Sequence, residues 1–216
     1  MTRDYTNFHN HLVELDKDVY SQPSDPGHTA WATDAITDLC KGLEVENVLD
    51  VGCGQGFCSD IFTSMNMHYT GITASLADVK AGLDEERNIA LGYATFLPYG
   101  DNSFDLIFAR HILEHSPFPL ITLMEWYRVT KKYLVLVMPA WEYWLVGGIN
   151  HYSMLGRDQL WHLMKRAGWY IKEDQDFITS HKRFMEFFRV GEKSREFPGE
   201  PKVVEYRYLL IKEEEK

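Results

Sequence analysis

Between Asn47 and Phe57 the chain reads Asn-Val-Leu-Asp-Val-Gly-Cys-Gly-Gln-Gly-Phe, an apolar run that ends in glycines at alternate positions: Gly52, Gly54 and Gly56. Val48–Val51 has the composition of a buried strand, and a helix is expected to start near Phe57. Glycine permits positive φ in a tight turn and removes the Cβ that would keep a ligand from the backbone. A strand, a glycine turn and a helix in that order open an α/β sheet, in which ligands bind beyond the carboxyl ends of the strands. The spacing discriminates further. A dinucleotide fingerprint, G-x-G-x-x-G, needs its third glycine where this chain has Phe57, which argues against a nicotinamide-dependent oxidoreductase. Asp50 leads the loop, and its carboxylate can orient the turn or reach an ammonium group but suits a pyrophosphate poorly. A glycine turn with no ligand is the alternative.

The rest of the chain repeats the alternation. Expected strands are Val48–Val51, Tyr69–Ile72, Ala94–Leu97, Phe104–Ala109, Tyr133–Met138, Tyr170–Phe177 and Val203–Ile211. Helical spacing appears in Thr29–Lys41, in Leu120, Leu123, Met124 and Tyr127 after Pro119, and in Leu160, Leu163, Met164 and Ala167 before Gly168, a C-cap candidate. Alternating strands and helices imply parallel strands joined by crossover helices in one open α/β sheet. The last strand alternates Val204, Tyr206 and Tyr208 with Glu205 and Arg207 before turning apolar, as suits a late strand inserted beside an existing one.

Two regions depart from this pattern. Residues 1–28, with Pro23, Pro26 and Gly27, read as an N-terminal arm or lid before a single domain over 29–216. Residues 179–201 read as an insertion whose Phe184, Met185, Phe187 and Phe188 form an aromatic cluster, by default a helix packed over the sheet edge.

At 216 residues, with 45% apolar and 25% charged residues, one domain with a buried core is expected. Lys plus Arg number 22 against 32 Asp plus Glu, a net charge of −10 that disfavours nucleic acid as a partner. The basic triplet His181-Lys182-Arg183 is too short to change that. No apolar run approaches the ~18 residues a membrane span needs. The polar, acidic first twenty residues resemble neither a signal nor a transit peptide, so a cytoplasmic location is expected. Cys40, Cys53 and Cys58 are too few and scattered for a disulfide framework or zinc site, which fits a reducing compartment.

The glycine loop resembles motif I of the class I S-adenosylmethionine-dependent methyltransferases, and the resemblance continues downstream. Leu97-Pro98-Tyr99-Gly100-Asp101-Asn102-Ser103-Phe104-Asp105 is similar to the family's LPF-x-D-x-SFD stretch. Arg110-His111-Ile112-Leu113-Glu114-His115 is similar to the segment ending L-E-H in the UbiE/UbiG-like small-molecule branch, and Glu125-Trp126-Tyr127-Arg128-Val129 to its E-x-x-R-V helix end. About residues 45–170 match in order. The resemblance implies a Rossmann-like sheet of about seven strands, parallel except for an antiparallel last strand, with helices on both faces. It implies S-adenosyl-L-methionine as cofactor and methyl transfer to O or N of a small molecule. A binding protein with another reaction, or none, is the alternative.

Residue by residue, the resemblance places Asp50, Gly52, Cys53, Gly54, Gln55 and Gly56 around the methionine part of the cofactor, with Arg110 also in the cofactor site. The acidic residue expected to hold the ribose is Thr73 here, followed by Ala74, and the acidic residue near adenine is Tyr93, followed by Ala94. A hydroxyl lacks the charge-assisted strength of a carboxylate, so altered cofactor affinity is expected. Ser75-x-x-Asp78 reads first as a capping box.

Methyl transfer from a sulfonium needs in-line positioning, exclusion of water and sometimes a base. His111, Glu114 and His115 supply candidate groups past the fourth strand, and His111 and His115, at i and i+4, would share a helical face. That spacing also fits metal ligands, but within this frame no metal is assigned; a purely structural role for Glu114 and His115 is the main competitor. His151 is a second-rank base candidate. Aromatic residues in Pro139–Trp144 and Asn150–Ser153 are expected to wall an acceptor pocket suited to a flat or apolar molecule, or else to pack a lid or a dimer contact.

Overall fold

In the computed structural model the described residues are 26–141, 150–179 and 202–212, with the isolated positions Asn7, Asn10, His11 and Glu14. Most of the expected arm, the aromatic cluster and basic triplet of the expected insertion, and the expected wall residues Glu142, Tyr143 and Trp144 lie outside them.

In chain order the elements are α1 (Pro26–Leu39), β1 (Asn47–Val51), α2 (Ser59–Ser64), β2 (His68–Thr73), α3 (Leu76–Asp84), β3 (Ile89–Leu91), β4 (Phe104–Arg110), a 3-10 turn (Leu113–His115), α4 (Pro119–Val129), β5 (Thr130–Pro139), α5 (Arg157–Arg166), β6 (Trp169–Thr179) and β7 (Lys202–Lys212). The seven strands form one sheet in the order β3-β2-β1-β4-β5-β7-β6. The first five pair in parallel, and β7 runs antiparallel to both β5 and β6. This is the expected mostly parallel α/β sheet. The chain leaves β1 toward β2 and β3, then returns on its other side as β4 and β5. That reversal opens a crevice at the carboxyl end of β1, where the glycine loop lies.

Central strands read as apolar runs because both faces are covered. Val48, Leu106, Phe108, Val135 and Val137 pack against Ile36 and Leu39 of α1, Phe62 of α2 and Val79 of α3. On the opposite face, Leu49, Val51, Ile107, Ala109 and Leu136 meet Leu123 and Trp126 of α4 and Leu160 and Met164 of α5. Pro26 begins α1, where the absent amide donor costs nothing. Gly168, at φ +99, follows α5 as expected of its cap.

Three local expectations are corrected. Residues 94–97 form no strand; the edge strand is Ile89–Leu91, paired with β2. Side chains of α4 satisfy the 94–97 backbone instead: Trp126 Nε1 donates to the Ala94 carbonyl at 2.9 Å, and Glu125 accepts from Leu97 N–H at 2.9 Å. The helix after the glycine loop starts at Ser59 because the intervening residues turn on themselves, Gly56 N–H bonding Cys53 O and Ser59 N–H bonding Gly56 O. Met124 is exposed; the stripe that α4 buries runs through Leu123, Trp126 and Val129.

The alternation in β7 has an unusual outcome. Glu205 and Arg207 are buried, because α1 covers that face near them. Arg207 donates to Asp34 of α1 at 2.6 Å and to the Trp31 carbonyl at 3.3 Å, and its guanidinium lies 3.7 Å from the Phe177 ring centre.

Candidate active site

The three loop glycines all have positive φ: +77 at Gly52, +53 at Gly54 and +78 at Gly56. Their surroundings differ. A Cβ on Gly52 would fall 2.8 Å from Ile112 side-chain carbons, and one on Gly56 would fall 2.7 Å from Ile89 Cδ1. At Gly54 a Cβ would meet only Phe57 Cε2, at 3.9 Å. Two glycines therefore permit packing, and the third borders open space. The turn is fixed from several sides. Gly52 and Cys53 N–H both donate to Ile72 O at 2.9 and 3.1 Å, and Arg87 donates to Gln55 O at 2.9 Å. The Gln55 side-chain amide donates to Asp78 of α3 at 3.3 Å.

Asp50 sits buried beneath this loop and accepts a 2.9 Å hydrogen bond from the Tyr69 hydroxyl, tying β1 to β2. Burial raises its carboxyl to about 7, against the lowering effect of the tyrosine bond. Gly71 lacks a side chain for a visible reason: a Cβ there would lie 2.7 Å from Cys53 Sγ and 2.8 Å from the Tyr69 hydroxyl. Burial also pushes the Cys53 and Cys58 thiols up, so both stay protonated.

At the end of β2, Thr73 is buried and its hydroxyl accepts from Ser75 N–H at 3.3 Å. Ser75 in turn caps α3 by accepting from Asp78 N–H at 3.2 Å, the role its spacing predicts. Ala74 is half-buried between them. Tyr93 and Ala94 are also half-buried, and the Ala94 carbonyl is engaged by Trp126.

Past β4 the charged groups converge. Arg110 directs Nε and a terminal nitrogen to Glu205 Oε1 at 3.1 and 2.6 Å. His111 Nε2 lies 3.0 Å from the same oxygen, while Arg207 holds Oε2 at 2.9 and 3.1 Å. Despite its burial, Glu205 titrates far below the usual carboxylate range because of Arg110, His111 and Arg207. Burial lowers the His111 pKa, and Arg110 lowers it further; Glu205 opposes both. His111 has φ +52, rare for a residue with a side chain, and its N–H donates to Val137 O at 3.0 Å. Glu114 is buried, which raises its carboxyl to about 8. His115 Nδ1 lies 3.2 Å from Asn150 O, and the rings of His115 and His151 meet edge to face at 4.7 Å.

Residues 49–137 match a family model described as a methyltransferase domain. Over those residues the chain is similar to a methyltransferase domain. It is 30% identical over 116 residues to a demethylmenaquinone methyltransferase of Renibacterium salmoninarum, an alignment covering 53% of this chain and 49% of that protein. It is 29% identical over 136 residues to an uncharacterized methyltransferase of Mycolicibacterium gilvum, covering 57% and 53% respectively. The matched region thus spans about half the length of these curated relatives. Among solved structures, an S-adenosylmethionine-dependent methyltransferase from Archaeoglobus fulgidus superposes with a TM-score of 0.64 at 16% identity, covering 85% of this chain and 94% of that one. The 4+2 cyclase SpnF superposes with a TM-score of 0.65 at 20% identity, covering 95% and 94%. Both show the same fold.

Within the matched region Asp50, Gly52, Cys53, Gly54, Gln55, Gly56, Thr73 and Ala74 gather at the carboxyl ends of β1 and β2. Arg110 is engaged with Glu205. His111 and His115 share no helical face, because the chain makes a left-handed step at His111 and a single 3-10 turn over Leu113–His115. His151 stands beside His115 in its place. Sequence reasoning missed Tyr69, Arg87, Glu205 and Arg207. A signal existed for the last two: a glutamate and an arginine two apart on one side of an otherwise apolar strand.

Proposed function

We propose that this chain transfers the methyl group of S-adenosylmethionine to an oxygen or nitrogen of a small molecule. The observation that carries the reading is Gly54, a positive-φ position whose missing Cβ would project into open space at the switch point of the sheet. Gly52, Cys53, Gly54, Gln55 and Gly56 would hold the methionine part, Thr73 and Ala74 the ribose, and Tyr93 and Ala94 the adenine. Asp50 shapes the loop through Tyr69. The cofactor supplies an electrophilic sulfonium methyl, so the protein must orient the acceptor, exclude water and accept a proton.

His111 is the proposed base. Glu205, ionised and fixed by two arginines, faces its Nε2, so the imidazolium formed on proton uptake is paired with a carboxylate. Arg110 also acts as a positioning residue, because it holds Glu205. Glu114, His115 and His151 cluster together past β4. Exposed Trp141 and Tyr152 favour a flat or apolar acceptor. No helix among the described residues is long and apolar enough to cross a membrane. A net charge of −10 argues against a nucleic-acid acceptor. Buried thiols at Cys40 and Cys53 fit a reducing compartment such as the cytoplasm.

A second reading, cofactor binding with a different reaction, draws on the absent carboxylates at Thr73 and Tyr93 and on the structural likeness to a cyclase. Calorimetric titration with S-adenosylmethionine and S-adenosylhomocysteine tests both, and no heat at millimolar ligand overturns both. Release of S-adenosylhomocysteine in a screen of phenols, amines and carboxylates then separates them: turnover with any acceptor supports methyl transfer, and binding without turnover supports the second reading.

A further inference from the structure

The group Glu114, His115 and His151 has features that methyl transfer leaves unexplained. A carboxylate oxygen of Glu114 and one ring nitrogen of each histidine all lie within 4.8 Å of one another. Glu114 is 1% exposed, and its Oε2 has no hydrogen-bond partner among the described residues; buried Nδ1 of His151 is in the same position. A buried acceptor left without a partner is costly and rare. The arrangement is also held in place from outside. Ser153 N–H donates to Glu114 O at 2.9 Å and Ser153 Oγ to Ser116 O at 2.7 Å, so the strand-exit loop carrying His151 is stitched onto the 3-10 turn carrying the other two. Asn150 O faces His115 Nδ1, the kind of backbone contact that fixes the tautomer of a ligating histidine.

We propose that Glu114, His115 and His151 bind a divalent first-row transition-metal ion, zinc-like in its preference for imidazole and carboxylate. Two imidazoles and one carboxylate suit such ions better than magnesium or calcium, which favour all-oxygen shells. Three protein ligands leave a coordination position for water or for an oxygen of an acceptor. Three ligand atoms within 4.8 Å of one another can close on one ion that each approaches to about 2.0–2.2 Å. The site is formed by contact between the turn after β4 and the loop after β5.

The test is titration of the chelator-treated full chain with Co(II), followed by visible absorption, with Zn(II) as competitor. One equivalent should bind, with ligand-field bands of a nitrogen and oxygen site and no thiolate charge-transfer band. Glu114→Gln and His151→Asn should each weaken binding by about 100-fold or more, since disturbing even the outer shell costs 10–100-fold. Circular dichroism and S-adenosylhomocysteine titration of each variant report the fold. No stoichiometric uptake, a thiolate band, or affinity unchanged in both variants overturns the proposal. Cobalt uptake without S-adenosylhomocysteine binding would overturn the cofactor reading alone, and the reverse would overturn the metal site alone.

Discussion

His111 Nε2 lies 3.0 Å from Glu205 Oε1, joining the turn that follows β4 to the antiparallel strand β7. Arg110 and Arg207 hold the two oxygens of the same buried carboxylate from opposite ends. Removing one partner from such a group leaves charges without compensation, at about 3–5 kcal/mol. Glu205→Gln should therefore lower thermal stability substantially, by about 2–4 °C per kcal/mol for a chain of this size. A melting temperature within a degree or two of wild type would show that the arginines find other partners.

The loop glycines should separate by function. Gly54→Val adds strain of about 1–3 kcal/mol at a positive φ but meets little protein, since only Phe57 lies within 4 Å of the added Cβ. Its branch would occupy the open space, so S-adenosylhomocysteine binding should be lost while the fold survives. Gly56→Val should destabilise more, because Ile89 and Arg87 already fill the space. Wild-type affinity in Gly54→Val, measured by calorimetry, would refute the loop assignment.

Thr73 tests ribose recognition. Its hydroxyl accepts from Ser75 N–H, a role a carboxylate oxygen can take over while the other oxygen accepts from ribose hydroxyls. Thr73→Asp should preserve or tighten cofactor binding. A tenfold or greater loss with an unchanged circular dichroism spectrum would mean that the ribose is held elsewhere.

Asp50 predicts a pH effect on stability. Its folded-state pKa, about 7, lies above the ordinary 3.8 of an exposed aspartate, so between these values the folded protein binds the extra proton. Its contribution is most favourable below the unfolded value and is lost as pH rises from about 4 through 7. Asp50→Asn keeps an acceptor for Tyr69 and should flatten that part of the stability profile. Denaturant unfolding at pH 5 and pH 8 would show it; an unchanged slope would place the titration elsewhere.

Legibility in the sequence followed the range of the interactions. The glycine loop, the Ser75 cap and the parallel order were readable because each depends on neighbours or on the period of apolar residues. Residues 94–97 looked like a strand, yet their backbone groups bond side chains of α4, which local pattern cannot reveal. Glu205 and Arg207 occupied the polar positions of an alternating strand, and only the packing of α1 makes those positions buried. His151 joins Glu114 and His115 through a loop contact with no helical period behind it.

The base assignment carries the sharpest kinetic test. If His111 accepts the acceptor's proton, His111→Ala should lower turnover by about 10²–10⁴-fold with cofactor affinity little changed. Because burial and Arg110 hold the imidazole below its ordinary 6.5, wild-type activity should fall only as pH drops through that lowered value, and the variant should lose the dependence. The positive φ of His111 adds a complication, since alanine is strained there. His111→Gly removes the side chain without that strain, so the two variants should show the same loss of turnover if chemistry is responsible. If glycine restores activity that alanine loses, backbone strain was the cause. A raised acceptor KM with unchanged kcat and pH profile would give His111 a pocket-shaping part only, and loss of the pH dependence in His115→Ala instead would move the base to the neighbouring histidine.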